Sequence, residues 1–214
     1  MPSLSWLSQV QQQRAIAVIR VDRYELGIQL AKAVAEGGME LIEITWNSDR
    51  PAQLIQHLRT HLPHCVIGAG TLLNQTDLEQ AIAAGAQFLF TPHVNVDLIQ
   101  AAVAQQIPIV PGALSPTEIV TAWQAGATCV KVFPIQAVGG ADYIRHICAP
   151  LGGFPLIPTG GVTLENARTF LEAGAIAVGV SGQLFPQEAI AQGDWQAVTQ
   201  RVKQLVNAVR GYEH

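Results

Sequence analysis

The sequence contains few cysteines, and their spacing excludes two common uses of this residue. Cys65, Cys129 and Cys148 are the only three, and no two of them form the Cys-x-x-Cys pair that indicates a metal or redox site. Two of the three lie in or beside apolar, strand-like segments. We therefore predict buried free thiols in a reducing compartment, the cytoplasm.

Charged residues and long apolar segments are also scarce. Charged residues make up 13% of the 214 positions, the formal net charge is −4, and no basic block is present, which argues against nucleic acid or an anionic membrane as partner. The apolar stretches are far shorter than the roughly 20 residues that span a bilayer. The first residues lack the basic and apolar blocks of a signal peptide. With 49% hydrophobic residues, the sequence predicts a soluble protein with a substantial core.

Four segments share one plan, in which a helix ends in Ala-Gly or Gly-Gly and a short strand follows. The glycine predicts a left-handed residue at the end of each of these helices. Other apolar runs close on loops that contain glycine. Together these patterns predict eight strands, within residues 15–20, 35–45, 64–71, 83–92, 107–112, 124–134, 154–161 and 172–181.

Apolar residues at i, i+3 and i+4 spacing predict a helix after each strand. Ser115 before Pro116, and Asp77 after Thr76, are predicted to start two of these helices. A further helix is predicted before the first strand, within residues 3–13. Regular alternation with short links predicts a parallel sheet, and eight units predict a closed barrel.

The predicted fold is therefore α/β: a single-domain (β/α)8 TIM barrel over residues 1–214, with an extra N-terminal helix at its base. The alternative is an open, doubly wound sheet. That fold would place a Gly-x-Gly-x-x-Gly turn after the first strand, and the segment that follows residues 15–20 has none. The closed barrel is favoured.

Two charged residues stand inside apolar strands, Glu43 in LIEIT and Lys131 in CVKVF. They fall on the second and sixth predicted strands, which face each other across a ring of eight and contribute to the same interior layer. Both lie close to the carboxyl ends of their strands, where barrel enzymes keep their active sites. We expect the two side chains to meet in the centre of the barrel.

A buried ion pair would be a purely structural explanation of this placement. The catalytic explanation is that apolar surroundings favour a free amine, which attacks a carbonyl. Burial also raises the pKa of a carboxylic acid and makes it a proton carrier near neutral pH. Lys131 and Glu43 together are therefore candidates for Schiff-base chemistry.

Glycine-rich loops follow the seventh and eighth predicted strands. Gly160 and Gly161 lie in PTGGV, and Ser181 and Gly182 lie in VGVSGQLF. Glycine lets the backbone approach a ligand closely, and backbone amides attract phosphate. Because these two loops are the usual phosphate site of this barrel, we predict phosphate binding there.

Other polar residues allow more than one interpretation. Thr71 at the mouth of the third strand either binds a substrate carboxylate or is a plain turn residue. Arg20 either binds an anionic group or pairs with a surface acid such as Asp22. His57 and His61 have i, i+4 spacing on one helix, but no third ligand is evident, so no metal site is predicted.

These segments together resemble the 2-keto-3-deoxy-6-phosphogluconate (KDPG) aldolase family, class I aldolases that also include 4-hydroxy-2-oxoglutarate (KHG) aldolases. The resemblance extends from about Ile16 to Leu184. It rests on EGGMELIEIT, VIGAGT, TPH, PGALSPTE, VKVFP and IPTGGV, in that order.

The resemblance implies roles for particular residues. Lys131 would form the Schiff base and Glu43 would be the general acid and base. Thr71 would contact the carboxylate of pyruvate, and Phe133 would line the pocket. The residues expected to hold phosphate are Gly160, Gly161, Ser181 and Gly182. The family also implies a homotrimer, a place in the Entner–Doudoroff pathway, and no metal or organic cofactor.

The sequence departs from the family pattern at Asn47, where many members have an arginine that binds the carboxylate. Arg20 is expected to supply this charge, and Asn47 and Thr159 complete the candidates for binding substrate. Asn-Ser at residues 47–48 resembles the phosphogalactonate branch of the family, whereas Thr159 resembles the phosphogluconate branch.

The expected function is cleavage of KDPG to pyruvate and glyceraldehyde 3-phosphate, with cleavage of 4-hydroxy-2-oxoglutarate to pyruvate and glyoxylate as a further activity. One alternative is an aldolase for 2-keto-3-deoxy-6-phosphogalactonate. The others are another phosphate-binding barrel enzyme, an isomerase or synthase, and a non-catalytic sugar-phosphate binding protein.

Overall fold

A computed structural model describes residues 5–210, in which helices and strands alternate and every predicted helix is present. Residues 3 and 4 of the predicted N-terminal helix lie outside the described residues. One short helix, α9, has no counterpart among the predictions, because six residues are too few to show a helical period. The α-helices are α1 (Trp6–Gln13), α2 (Tyr24–Glu36), α3 (Pro51–His61), α4 (Gln75–Ala83), α5 (Val96–Ala104), α6 (Pro116–Gln124), α7 (Ala141–Leu151), α8 (Ala167–Glu172), α9 (Gln187–Gln192) and α10 (Trp195–Arg210).

The strands are short, and every pairing between them is parallel. Each of the eight predicted segments contains a strand, but the fifth is divided into two pieces. Pro111 separates them, because proline has no N–H to donate to the ladder. The strands are β1 (Ala15–Ile19), β2 (Leu41–Thr45), β3 (Val66–Gly70), β4 (Leu89–Phe90), β5 (Ile109–Val110), β6 (Gly112–Ala113), β7 (Val130–Val132), β8 (Leu156–Pro158) and β9 (Val178–Val180).

The strands form two curled parallel sheets. One has six strands in the order β5-β4-β3-β2-β1-β9, and the other has three in the order β6-β7-β8. A single bridge between Thr159 and Gly179 connects the end of β8 with β9. The predicted α/β class and parallel pairing are confirmed.

The core has two layers, which the alternation of side chains along each strand separates. The larger layer packs between the sheets and the helices. The smaller layer lies between the two sheets, and helix α1 contributes to it: the ring of Trp6 lies 5.3 Å from that of Phe88. The buried residues of the inner layer are Val10, Ile16, Leu41, Phe88, Phe90, Val110, Cys129, Ile157 and Ala177.

Helix ends agree with most of the sequence signals. The glycines of the four repeated segments, Gly38, Gly85, Gly126 and Gly174, all have φ between 88° and 109°. Ser115 starts α6 and forms a capping box with Glu118. The prediction for α4 is wrong, because Asn74 caps that helix by accepting a hydrogen bond from the amide of Asp77.

Cys65 and Cys129 are buried free thiols, as predicted, while Cys148 is half-buried. Burial raises the pKa of Cys65 to about 11 and that of Cys129 to about 12.

Within residues 5–210, none of the helices combines the length and apolar character that crossing a bilayer requires.

Candidate active site

Lys131 and Glu43 lie on strands of different sheets and line one cavity of about 510 Å³. Lys131 is the middle residue of β7, and its neighbours Val130 and Val132 pack outward against the helices. Glu43 is the middle residue of β2, and Ile42 and Ile44 likewise pack outward. Because side chains alternate along a strand, both charged residues face inward.

Both charged side chains are almost completely buried. Lys131 is 7% exposed and Glu43 is 1% exposed. The ammonium nitrogen of Lys131 lies 4.7 Å from the ring centre of Phe133 and 5.8 Å from that of Phe90. The aromatic faces offer the ammonium a weak electrostatic attraction in place of water.

The two groups do not form a close ion pair. Among the described residues, the salt bridges within 4.0 Å are four surface contacts, and neither Lys131 nor Glu43 takes part in them. The structural explanation, a paired lysine and acid that fill the interior, therefore does not describe this site. Both side chains border the cavity instead.

The Glu43 carboxyl has no hydrogen-bond partner among the described residues, although both of its oxygens are buried. Burial raises its pKa above the ordinary value of 4.5, and the positive charges of Lys131 and Arg20 oppose part of this effect. Leaving a buried polar group unpaired costs on the order of 1–3 kcal/mol or more. A group kept in this state is suited to exchange protons with a ligand in the cavity.

Thr71 lines the same cavity and has a strained backbone. Its φ is 60°, in the left-handed region that a β-branched residue rarely adopts. Such a conformation costs on the order of 1–3 kcal/mol and is concentrated at functional sites. This strain favours a binding role over the alternative of a plain turn.

Arg20 follows β1 and lines both the main cavity and a neighbouring one of about 450 Å³. Its side chain is exposed, and none of the ion pairs of residues 5–210 joins it to Asp22 or to another acid. The guanidinium is therefore available to an anion in the cavity.

The glycine loops border the cavity on the side of β8 and β9. Gly160 and Gly161 have φ of 89° and 87°, which side chains rarely allow. A Cβ on Gly161 would lie 2.3 Å from the Cβ of Gln136. Among the hydrogen bonds of the described residues, the amides of Gly161, Val162 and Ser181 have no protein acceptor. Amides of this kind can bind an anion.

Two of the predicted substrate residues, Thr159 and Asn47, line different cavities. Thr159 is buried and lines the main cavity, and its hydroxyl donates to the carbonyl of Ile157 at 3.4 Å. Asn47 is exposed and does not line that cavity; it lines the neighbouring cavity instead. The two cavities share Arg20, Ser181 and Gly182.

Metal ligands are not grouped anywhere in the described part of the chain: no three His, Cys, Asp or Glu residues come together in a way that could hold an ion. The rings of His57 and His61 are instead stacked, with centres 3.9 Å apart. The Nδ1 atom of His61 lies 2.8 Å from the carbonyl of His57.

A family model described as "KDPG and KHG aldolase" matches residues 7–201. The chain belongs to the KDPG and KHG aldolase family. It is 32% identical to the 2-dehydro-3-deoxy-phosphogluconate aldolase of Treponema pallidum, over 92% of this chain and 93% of that protein. It is 29% identical to the KHG/KDPG aldolase of Escherichia coli strain K12, over 91% of this chain and 92% of that protein.

A solved structure resembles the whole described fold. The KDPG aldolase of Legionella pneumophila, with pyruvate captured as a covalent carbinolamine, superimposes with a TM-score of 0.86 at 27% identity, over 94% of this chain and 98% of that one. The family resemblance of the sequence is thus confirmed. The chain is an aldolase, a carbon–carbon lyase.

Several residues that line the cavity of this aldolase are absent from the sequence predictions: Val18, Pro92, Val162, Gly179 and Gln183. Most of them share one signal, a position at or just beyond the carboxyl end of a strand. Gly179 also provides space, because a Cβ there would lie 2.4 Å from the hydroxyl oxygen of Thr159.

We expect Glu43→Gln to stabilise the folded protein, and to do so increasingly as pH rises. The folded-state pKa of Glu43 lies above 4.5. The stability that the protonated acid contributes is therefore complete below the unfolded pKa and is lost as pH rises through the folded pKa. Each tenfold change in proton affinity corresponds to about 1.4 kcal/mol. Urea unfolding between pH 4 and pH 9 measures the difference between wild type and variant.

The matched control is Glu36→Gln, because that side chain is exposed on α2. A gain from Glu43→Gln that does not vary with pH would contradict the raised pKa.

Proposed function

We propose that this protein is a class I aldolase that cleaves KDPG to pyruvate and glyceraldehyde 3-phosphate. The observation that carries the proposal is a buried lysine and an unpartnered buried acid that line one cavity without pairing with each other. Membership of the family, and relatives whose names specify phosphogluconate, support the substrate.

The first half of the reaction forms an imine. The Lys131 amine attacks C2 of KDPG and forms a C–N bond as the carbonyl π bond breaks, and a proton passes from the nitrogen to the former carbonyl oxygen. Glu43 supplies a proton to the resulting hydroxyl, which leaves as water, and the nitrogen lone pair forms the iminium. The iminium then accepts an electron pair from the neighbouring carbons.

The second half breaks the C3–C4 bond. Glu43, now a carboxylate, takes the proton of the C4 hydroxyl directly or through a water. The electrons of the C3–C4 bond move to the iminium and form an enamine, and glyceraldehyde 3-phosphate leaves. Protonation at C3 and addition of water to the iminium release pyruvate and restore the amine. General acid–base catalysis of this kind contributes roughly 10²–10⁴-fold.

The remaining residues of the cavity would hold the two ends of the substrate. Thr71 binds the carboxylate beside C2, while Phe133 and Thr159 line the walls. The phosphate lies at the loops of Gly160, Gly161, Ser181 and Gly182. Arg20, expected from the sequence to bind the carboxylate, is assigned to the phosphate instead, because it lines the cavity together with Ser181 and Gly182. Binding energy from the distant phosphate orients the reacting carbons. Asn47 lines the neighbouring cavity and not this one.

Cleavage of 4-hydroxy-2-oxoglutarate to pyruvate and glyoxylate is the second proposed activity. The E. coli relative is named a KHG/KDPG aldolase, which supports it. The same imine chemistry applies, but this substrate has no phosphate. For the phosphogalactonate alternative, one similar solved structure is described as native KDPGal, at 28% identity and a TM-score of 0.83, but the relatives with assigned names specify phosphogluconate. The similar non-aldolase structures, a thiamine phosphate pyrophosphorylase and a hexulose-phosphate synthase, are under 20% identical and share only the fold.

We also propose that the two sheets close into one eight-stranded (β/α)8 barrel, so that residues 1–214 form one domain with α1 at its base. Three observations support closure. Only Pro111 separates β5 from β6, Thr159 and Gly179 bridge β8 and β9, and the Ile176 amide donates to the Leu156 carbonyl at 3.0 Å. The inner layer, with residues from both sheets, fills such a barrel.

Borohydride reduction in the presence of pyruvate tests the Schiff base. We expect wild type to gain one pyruvyl adduct on the peptide that contains Lys131, and Lys131→Ala to gain none. Lys203→Ala, at an exposed lysine of α10, is the matched control and should be modified like wild type. Mass spectrometry of the intact and digested protein measures the adduct. An adduct in Lys131→Ala, or the absence of an adduct in wild type, would refute the imine mechanism.

Arg20→Ala tests phosphate recognition. We expect KM for KDPG to rise by about 10-fold or more, since a charged hydrogen bond contributes roughly 1.5–3 kcal/mol. The KM for 4-hydroxy-2-oxoglutarate should change by less than about threefold. Steady-state rates on KDPG, its galactonate epimer and 4-hydroxy-2-oxoglutarate, measured side by side, also establish the preferred C4 configuration. Equal losses on all three substrates would assign Arg20 to the carboxylate instead.

We further propose a homotrimer in the cytoplasm. Exposed apolar side chains such as Leu73 (55%), Val103 (44%) and Trp123 (40%) support contact between copies, and the free thiols support a reducing compartment. Light scattering after size-exclusion chromatography should give a mass three times the 22.9 kDa of one chain. A mass of one or two chains would refute the trimer.

A further inference from the structure

The inner face of β3 has no side chain at two successive inward positions, Gly68 and Gly70, and different groups occupy the two spaces. A Cβ on Gly68 would lie 2.3 Å from the ring of Phe88. A Cβ on Gly70 would lie 1.7 Å from Oε1 of Glu43, 2.4 Å from its Cδ and 2.7 Å from its Cγ. Real atoms do not approach so closely, so each space is filled by the group that lies there.

The pairing of β2 with β3 shows that the Glu43 side chain leans along the sheet. Glu43 is paired with Gly68, whereas Gly70 is paired with Thr45. The carboxyl thus lies against a residue two positions farther toward the carboxyl ends of the strands, about 7 Å along the strand direction. The ring of Phe88 occupies the space at Gly68, so the space at Gly70 receives the acid.

Shape, rather than hydrogen bonding, holds this carboxyl. Neither of its oxygens has a partner among the described residues, and the side chain is 1% exposed. A long side chain without hydrogen bonds has several rotamers to choose from, and close packing against backbone is what limits that choice. The backbone of β3 at Gly70 is the surface that it packs against.

We propose that Gly70 is a positioning residue of this aldolase: its missing side chain forms a slot that holds the Glu43 carboxyl at the cavity, in place to exchange protons with a ligand on Lys131. The inference rests on the proposed function of Glu43. One added methyl group would expel the carboxyl from the slot, because the paired strand backbone cannot move away.

A stability cycle tests the slot without any activity measurement. We expect Gly70→Ala to lower Tm by about 2–4 °C in wild type, since roughly 1 kcal/mol of overpacking corresponds to that shift in a chain of this size. In a Glu43→Ala background the same substitution should lower Tm by less than about 1 °C, because the new methyl group enters space that the acid has vacated. Gly153→Ala is the control, because a Cβ at Gly153 has no atom within 4 Å.

The cycle remains decisive if Gly70→Ala alone does not fold, because the double variant is then expected to recover a folded protein. Equal losses of Tm in both backgrounds, or failure of the double variant to fold, would overturn the proposal.

Titration of the Glu43 side-chain carboxyl, followed by carbon NMR, gives a readout that a merely structural glycine would not move. In wild type, burial raises the pKa of this acid, and Lys131 and Arg20 are the charged groups that oppose the shift. In Gly70→Ala the carboxyl moves into the cavity, nearer to water and to these cations. Its pKa should therefore fall, and an unchanged titration would count against the slot.

Kinetics complete the test. In Gly70→Ala we expect kcat on KDPG to fall by about 10²-fold or more, with KM within about threefold of wild type, because proton transfer is impaired and binding is not. Gly153→Ala should keep kcat within about threefold. A fall in kcat accompanied by a rise in KM of similar size, or no change in kcat, would refute the positioning role.

The slot and the proposed function can fail separately. If wild type neither forms the pyruvate adduct nor cleaves KDPG, the proposed function fails, while the stability cycle and the titration still decide the slot. If wild type is active and Gly70→Ala is equally active, the slot alone fails.

Discussion

The site depends on one unfavourable arrangement, a carboxylic acid buried without a partner near a buried amine. Water would stabilise both groups better than the protein interior does, so favourable packing elsewhere in the fold must offset the free energy lost by burying them. It does so with two apolar layers, one outside the sheets and one between them. The gap between Glu43 and Lys131 is what distinguishes this arrangement from a structural ion pair, because it leaves both groups free to react with a ligand.

Electrostatics divide the cavity into two ends. At the inner end, Phe90 and Phe133 flank Lys131, and burial keeps Glu43 protonated to a higher pH than an exposed acid. At the outer end, glycine loops present amides without protein acceptors, and Arg20 adds a charge. This division suits a keto acid that carries a phosphate, with its carbonyl at the inner end and its anionic phosphate at the outer end.

Glycines shape the site by what they leave empty. Gly70 leaves room for the acid, Gly179 leaves room for Thr159, and Gly161 lets its loop approach Gln136. Each of these spaces is filled by a residue from a distant part of the chain. A substitution at Gly70 or Gly179 would therefore act on the neighbouring side chain, whereas one at Gly161 would also strain its own backbone, whose φ is 87°.

Local patterns in the sequence were sufficient for the strand segments, for the helices other than the short α9, and for the inward positions of Lys131 and Glu43. The reason is that the strand period of two and the helix period of 3.6 are properties of neighbouring residues. The same patterns indicated the glycine loops and the mouth residue Thr71, since strand ends and loops follow directly from them.

Only the tertiary structure decided how these residues meet. It placed Asn47 at the neighbouring cavity, left the acid without a partner and placed it against Gly70. These outcomes depend on strand register and on packing between segments that are far apart along the chain. No local period contains that information, because it arises only when the strands are assembled.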